Sequence, residues 1–302
     1  MTVFAISVIT FGATDAIGVD VARRALGKEA TPTELADFRQ KYGLNRSIVD
    51  QYLTWLHHFA LGNWGISPVS DLPVISGVVG RMELTLLLAV SALALAIPVS
   101  IALGVFMAKR LSSRTDLTLS VGTLVLAASP IFVIGILMEY VFSVRLGWTP
   151  VDSSGLAFGG FTAQVRAFIL PAVVLALSLV PHFSRTTRAA FRGTLVAPYA
   201  QAATLRGLSR RSITWKYLMP NAAAPIVNVI ALETMWLVGG VVLVENVFGF
   251  PGLGNLLVSA IQTGDLITVQ AVVLITGIMF VLISLIADLT VLALNPRLRR
   301  QS

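Results

Sequence analysis

A run of 25 residues without a charged side chain, from residue 84 to residue 108, is the strongest constraint on the fold of this chain. At a rise of about 1.5 Å per residue, a helix of this length crosses the roughly 30 Å hydrocarbon core of a bilayer. Apolar stretches with at most one charged residue follow at 117–138, 167–184, 221–244 and 266–287. Lipid offers open backbone groups no hydrogen-bond partner, so each stretch is predicted to be a membrane-spanning helix.

The composition excludes a soluble enzyme. Only 12% of the 302 residues are charged, against roughly 25% in soluble domains. Cysteine is absent, which excludes disulfides, iron–sulfur clusters and cysteine nucleophiles. The histidines His57, His58 and His182 have no further ligand at metal-binding spacing, so we predict neither a metal site nor catalytic residues.

The N-terminus is apolar but short. Residues 1–14 carry no charge, yet a span needs roughly 17 residues. We expect them to be the outer part of a truncated first transmembrane helix, and an interfacial helix is the alternative. The chain is therefore predicted to be an all-α integral membrane protein with about six transmembrane helices.

Positive charges predict the orientation, because short loops rich in Lys and Arg stay in the cytoplasm. The loop 182–220 holds seven basic residues and no acidic one, whereas residues 14–81 balance seven basic against seven acidic residues. We expect the loop 182–220 and the C-terminus to be cytoplasmic, 15–81 to be an extracytoplasmic helical segment, and 82–302 to be the transmembrane core. The net charge of +7 follows from this topology and does not indicate a nucleic-acid partner.

The extracytoplasmic segment contains two predicted helices. Thr31-Pro32-Thr33-Glu34 is a capping box with proline at the first helical position, and Gly43 closes that helix. A second helix has apolar residues from Val49 to Phe59 at spacings of three and four. These helices either cover the outer mouth of a pathway or pack on the ends of the spans.

The 39-residue loop 182–220 is too long for a simple turn and has the signals of folded helices. Pro198 is followed by a short helix from Tyr199 to Arg206, which Gly207 ends in a left-handed conformation. Ser209 then caps a further helix that reaches Met219. The small residues of the short helix suit insertion into a cleft of a partner; a basic helix lying on anionic lipid is the other interpretation.

Gln201-Ala202-Ala203, followed by Gly207, resembles the EAA loop of permease subunits of binding-protein-dependent ABC importers. Further segments are similar to the dipeptide, oligopeptide and nickel branch of that family. They are Arg192 with 207–211, the outer loop 245–254, Asn295-Pro296-Arg297, and the segments 42–45 and 62–65 near the outer helices. The chain departs from the family pattern at Gln201, which is usually Glu, and at Pro198, where an acid is more usual.

The resemblance implies a type I ABC importer permease fold in the bacterial cytoplasmic (inner) membrane, surrounded by lipid. It also implies a second homologous permease, two ABC ATPase subunits or one fused ATPase, and an extracytoplasmic solute-binding protein, with di- and oligopeptides as the commonest cargo. ATP and Mg would be bound by the ATPases, with no cofactor in this chain, and no G-x-x-x-x-G-K-[ST] segment is present. The implied ATPase-coupling residues are Gln201, Ala202, Ala203, Leu205, Arg206 and Gly207, and the implied outer loop motif consists of Phe248, Pro251, Gly252 and Gly254.

Acidic residues within the apolar stretches are the candidate pathway groups. Glu233 is the most deeply placed and Glu139 lies at the end of another stretch, where an ionised carboxylate needs water or a partner. Each either contacts a cationic group of the cargo or pairs within the helix bundle. An ion-coupled secondary transporter would use Glu233 or Glu139 and need no ATPase. An intramembrane enzyme would need a nucleophile beside a base, which the spans do not contain.

Two further patterns concern helix shape and packing. Ser129-Pro130 and Pro98 predict kinks in their helices. Gly239-Gly240 allows close approach of another helix, from a second subunit or from this chain.

Overall fold

The computed structural model of the chain describes residues 1–16, 30–41, 46–156 and 160–294. These residues confirm the all-α fold, since they form helices and connecting turns with one isolated β-bridge, between Ile66 and Pro73. The helices are α1 (Thr2–Ala16), α2 (Pro32–Lys41), α3 (Ile48–Ala60), α4 (Val74–Lys109), α5 (Arg114–Ala128), α6 (Ile131–Arg145), α7 (Phe161–Leu195), α8 (Pro198–Leu205), α9 (Arg210–Val247), α10 (Leu253–Thr263) and α11 (Leu266–Leu294).

Four helices in the described part of the chain, α4, α7, α9 and α11, are long and apolar enough to cross a membrane. The apolar part of α1 is shorter than a full span. Helix α4 continues through Pro98 without a break. The kink expected at Ser129-Pro130 is a sharp turn of 102° between α5 and α6, so the stretch 117–138 is a broken helix pair and not one straight span. Pro130 has no N–H to continue the helix, and it favours the extended conformation that Ser129 adopts, with ψ 127°.

The chain forms two compact units. The first consists of residues 1–86 and 251–281. In this unit the Tyr52 hydroxyl of α3 lies 2.8 Å from Ser7 Oγ of α1, and the Phe11 ring packs against Tyr52 and Trp55. Helix α3 therefore packs on α1 through an aromatic cluster. The apolar core below it includes Val78, Val272 and Leu274.

The capping box predicted at the start of α2 is confirmed. The Thr31 backbone N–H donates to Glu34 Oε2 at 2.8 Å, and the Glu34 N–H donates to Thr31 Oγ1 at 3.4 Å. Hydrogen bonds from the Thr31 backbone and hydroxyl lower the pKa of the Glu34 carboxyl below its ordinary value. Tyr42-Gly43-Leu44-Asn45, where this helix was expected to end, lies outside the described residues.

The second unit consists of residues 87–250 and the chain from Leu282 onward. Its centre is α7, which is the most buried of the long helices and packs against α5, α6 and α9. A close approach of α4 to α7 at Gly104 illustrates how tightly these helices pack. A Cβ atom at Gly104 would lie 2.6 Å from Thr187 Cβ and 2.7 Å from the Ser184 carbonyl oxygen. Only glycine fits this crossing.

We expect Gly104→Ala to destabilise the protein by about 1–3 kcal/mol, because the added methyl group overlaps α7. The matched control is Gly122→Ala in α5, where a Cβ atom meets nothing within 4 Å. There the better helix propensity of alanine should stabilise the helix by about 0.5–1 kcal/mol. The midpoint of thermal unfolding in detergent distinguishes the two variants. Equal midpoints would contradict the close packing at Gly104.

Candidate functional site

Helix α8 is a short helix between α7 and α9, and its ends are defined by the residues expected from the sequence. Pro198 occupies its first turn. Gly207 ends it with φ +73°, and the Leu208 N–H donates to the Ala203 carbonyl at 3.4 Å. Ser209 Oγ then accepts from the Ser212 N–H at 3.3 Å and caps α9. The predicted left-handed stop and the serine cap are both confirmed.

One face of α8 is anchored within the second unit. Ala200 and Ala203 are 5% and 3% exposed, and they join a core formed by α7 and α9. The core residues that surround them include Phe191, Ile213, Leu218 and Ala222. Because both alanines are small, α8 lies close against this core. Displacement of α8 would therefore move α7 and α9.

The opposite side of α8, which we call the contact face, is formed by Tyr199, Ala202, Leu205 and Arg206 at spacings of three and four residues. All four are exposed, and Leu205 has 89% of its surface accessible. A single exposed leucine needs no explanation, but here it stands on a helix that is anchored on its other side. The contact face is a partly apolar surface with an arginine at its end.

A buried ion pair joins α5 to α7 beside this region. Arg188 Nε donates to Asp116 Oδ1 at 2.8 Å, and Arg188 Nη2 donates to Asp116 Oδ2 at 2.7 Å. The Asp116 carboxylate is almost fully buried, and it also accepts from the Ser112 N–H at 3.3 Å. This bidentate geometry is the strong form of an arginine–carboxylate pair. It holds the start of α5 to the last two turns of α7, which lead directly to α8.

A second contact between ionisable side chains joins α7 to α9 within their apolar parts. His182 Nδ1 lies 3.1 Å from Glu233 Oε1. The two side chains are 46% and 20% exposed, so this pair is more open than the Asp116–Arg188 pair. Exposed ion pairs contribute about 0–1 kcal/mol, whereas breaking a buried one costs roughly 3–5 kcal/mol.

Residues 100–300 match the family described as binding-protein-dependent transport system inner membrane component. Residues 1–89 match the N-terminal part of such membrane components. This chain belongs to that family of permease subunits. The family explains the long apolar helices, and it confirms the resemblance seen in the sequence.

Relatives and solved structures are similar to this permease over most of its length. A probable peptide ABC transporter permease protein of Sinorhizobium fredii is 31% identical over 93% of this chain and 90% of its own length. The glutathione transport system permease protein of Escherichia coli K12 is 31% identical over 99% of this chain and 95% of its own. A solved structure of the inward-facing MetNI methionine ABC transporter has a TM-score of 0.54 and 21% identity, and the match covers 74% of this chain and 96% of that chain. The last match confirms the type I importer permease fold.

The predicted coupling residues of this permease are divided between the two sides of α8. Gln201, Ala202, Leu205, Arg206 and Gly207 are exposed, whereas Ala203 is buried inside the chain itself. One interpretation of the sequence placed the small residues of this helix in a partner's cleft, but Ala203 packs inside this chain and anchors the helix. Only the exposed residues are accessible to a partner.

The segment 182–220 is mostly helical in the structure and is not a loop. Helix α7 continues to Leu195, and α9 begins at Arg210. The helix that Ser209 caps was expected to reach Met219. That bound is wrong, because the helix continues through a π-helical turn at Ile213–Leu218 into the next span. Buried Ile213 and Leu218 hold that turn against the core below α8.

The pathway candidates lie on different helices. Glu233 is paired with His182 between α7 and α9. Glu139 is half-buried on α6, just before a π-helical turn at Tyr140–Arg145. Among the described residues, no three His, Asp or Glu side chains come together as metal ligands.

The outer loop motif begins as part of the core of the second unit. Phe248 and Phe250 are buried, and the Phe248 carbonyl accepts from the Ser153 N–H at 2.9 Å. Between them Gly249 has φ +56°, and a Cβ atom there would lie 2.8 Å from Asp152 Oδ1. This part of the motif therefore has a structural role.

The motif continues in the first unit. Gly252 and Gly254 are buried and Pro251 is partly buried. Gly252 stands at the N-cap of α10, and the Leu253 N–H donates to Thr85 Oγ1 at 2.9 Å. The motif positions α10 through these backbone contacts. Asn295-Pro296-Arg297 lies outside the described residues.

The Asp116–Arg188 pair is a feature that sequence reasoning missed. A local signal was present, because Ser113 precedes Asp116 by three residues in the pattern of a helix cap, and Ser113 Oγ accepts from the Asp116 N–H at 3.1 Å. Asp116 is also the one acid in the basic loop 109–116. Its partner lies 72 residues further on, and no local pattern connects the two.

Proposed function

We propose that this chain is one of two permease subunits of an ATP-driven peptide importer in the bacterial inner membrane. The observation that carries the proposal is the contact face of α8, an exposed surface on a helix anchored to two membrane-spanning helices. A cytoplasmic ATPase that grips this face can move α7 and α9 when it closes on ATP. Hydrolysis then returns the helices to their starting positions.

The ATPases supply the energy and bind the ATP and Mg, either as two subunits or as one fused chain. An extracytoplasmic solute-binding protein delivers the cargo from the other side. The basic residues around α8 support a cytoplasmic location of segment 182–220 and of the C-terminus. Relatives named for peptide and glutathione transport support a peptide cargo, since glutathione is itself a small peptide.

The second permease subunit packs on the exposed side of α9 in the part of the helix beyond Trp236. The exposed positions there are Gly239 and Leu243, which are four residues apart and share one face of the helix. A Cβ atom at Gly239 meets nothing within 4 Å, whereas one at Gly240 would contact Leu175 and Ile131 of the same chain. Gly240 thus serves packing within the chain, and Gly239 leaves room for a neighbouring helix.

The test is reconstitution in liposomes. The chain together with its companion permease, ATPases and binding protein should take up labelled trialanine only when ATP is present. The chain alone should take up none, with or without a proton or sodium gradient. Gradient-driven uptake by the chain alone would support the ion-coupled transporter, with Glu233 or Glu139 as the ion site, and would overturn the importer.

A further inference from the structure

The His182–Glu233 pair lies at a surface where contact with lipid is unfavourable. Both residues belong to helices long and apolar enough to span the membrane, yet His182 is 46% exposed and Glu233 is 20% exposed. Ionisable side chains at such positions face water or protein, because they are costly in hydrocarbon. This surface therefore borders an aqueous pathway or a partner subunit.

Trp236 extends the same surface. It follows Glu233 by three residues on α9, so the two side chains are neighbours on the helix, and it is 78% exposed. A carboxylate accepts hydrogen bonds from a cation, and an indole face attracts the cation electrostatically. A carboxylate and an indole side by side are the chemistry that recognises an ammonium group.

The contact between His182 and Glu233 can open more easily than the Asp116–Arg188 ion pair. Asp116 holds Arg188 by two hydrogen bonds and is 5% exposed, whereas Glu233 holds His182 through one oxygen and is partly accessible. An ammonium group brings three N–H donors, and the Nδ1 atom of an imidazole brings one. An arriving ammonium group can therefore replace His182 on the Glu233 carboxylate.

We infer that Glu233 and Trp236 bind the ammonium group of a peptide cargo on its way through the permease. His182 contacts the Glu233 carboxylate when no cargo is bound. The inference rests on the proposed peptide importer and adds to it the part of the cargo that the spans recognise. No covalent step is involved, and the Glu233 carboxylate stays in contact with His182 Nδ1 when the pathway is empty.

The experiment uses the complete importer in liposomes, with trialanine as the probe and the binding protein at saturation. Glu233→Gln should lower the maximal rate of uptake by about tenfold or more, since it removes a hydrogen-bonded charge. The matched control, Glu83→Gln, removes an exposed carboxylate of α4 and should stay within about twofold of the unaltered importer. Trp236→Leu should lower uptake by about threefold, and Trp236→Phe, which keeps an aromatic face, should lower it less.

His182→Gln separates cargo binding from a structural link between α7 and α9. If Glu233 binds cargo, the loss in His182→Gln should be at least about threefold smaller than in Glu233→Gln, because the carboxylate remains. Equal losses in the two variants, with no further loss in the double variant, would identify a structural link and overturn the inference.

Loss of the companion permease from purified Glu233→Gln would overturn the inference in favour of a subunit contact. Failure of the unaltered importer to take up trialanine would instead overturn the peptide-importer proposal itself, and the inference with it.

Discussion

Leu205→Glu is expected to abolish co-purification of the ATPase with this permease while the chain still inserts into the membrane. Leu205 is 89% exposed on α8, so its replacement removes little packing within the chain. A charge placed at the centre of an apolar contact typically costs about 2 kcal/mol or more, roughly a thirtyfold loss of affinity. The measurement is the amount of ATPase retained by the tagged permease after purification in detergent.

Leu61→Glu is the matched control for this experiment. Leu61 is 72% exposed at the end of α3, in the segment predicted to lie on the other side of the membrane. This variant should retain the ATPase fully. Retention of the ATPase by Leu205→Glu as well would show that the contact face of α8 is not the docking site of the ATPase. Ala203→Arg is a poorer choice, because Ala203 is buried and a larger side chain would disrupt the core that holds α8.

Asp116→Asn is expected to lower the stability of the permease by about 2–3 kcal/mol. The full cost of breaking a buried ion pair is roughly 3–5 kcal/mol, and the partial exposure of Arg188 reduces it. Asparagine has the same shape as aspartate and keeps the backbone N–H that Ser113 caps, so the loss reports on the charge. At about 2–4 °C per kcal/mol, the midpoint of thermal unfolding in detergent should fall by roughly 5–10 °C.

Arg114→Gln provides the comparison, because it removes an exposed charge from the same turn of α5. Its unfolding midpoint should stay within about 2 °C of the unaltered protein, as expected for a surface charge. The exchange of the two charges, Asp116→Arg with Arg188→Asp, should recover part of the lost stability. A midpoint for Asp116→Asn equal to that of Arg114→Gln would mean that the ion pair adds nothing to stability.

Local signals predicted much of this structure. Long uncharged stretches predicted the spans, and Gly207 and Ser209 predicted the end of α8 and the start of α9, because both depend on residues within one or two turns. The division of α8 into two sides could not be predicted in the same way. Ala202 and Ala203 are the same residue type, and only the packing of Phe191 and Ile213 decides which one is buried.

The partners of the ionisable side chains were also beyond what local sequence signals can predict. Glu233 was recognised as unusual from its apolar surroundings, but nothing local identified His182 as its neighbour, since the two lie on different helices. The sharp turn at Ser129-Pro130 was expected only as a bend, because a proline signals an interruption without giving its angle. Side chains and backbones that meet across long separations depend on the arrangement of the helices.

The elbow between α5 and α6 has a consequence for the surroundings of the permease. Where the chain bends by 102°, the regular pattern of helical hydrogen bonds is interrupted, and Pro130 contributes no N–H to restore it. A carbonyl group left open in hydrocarbon would cost several kcal/mol. Contact with lipid acyl chains is therefore unfavourable at the turn between α5 and α6. We expect this turn to contact another polypeptide or water.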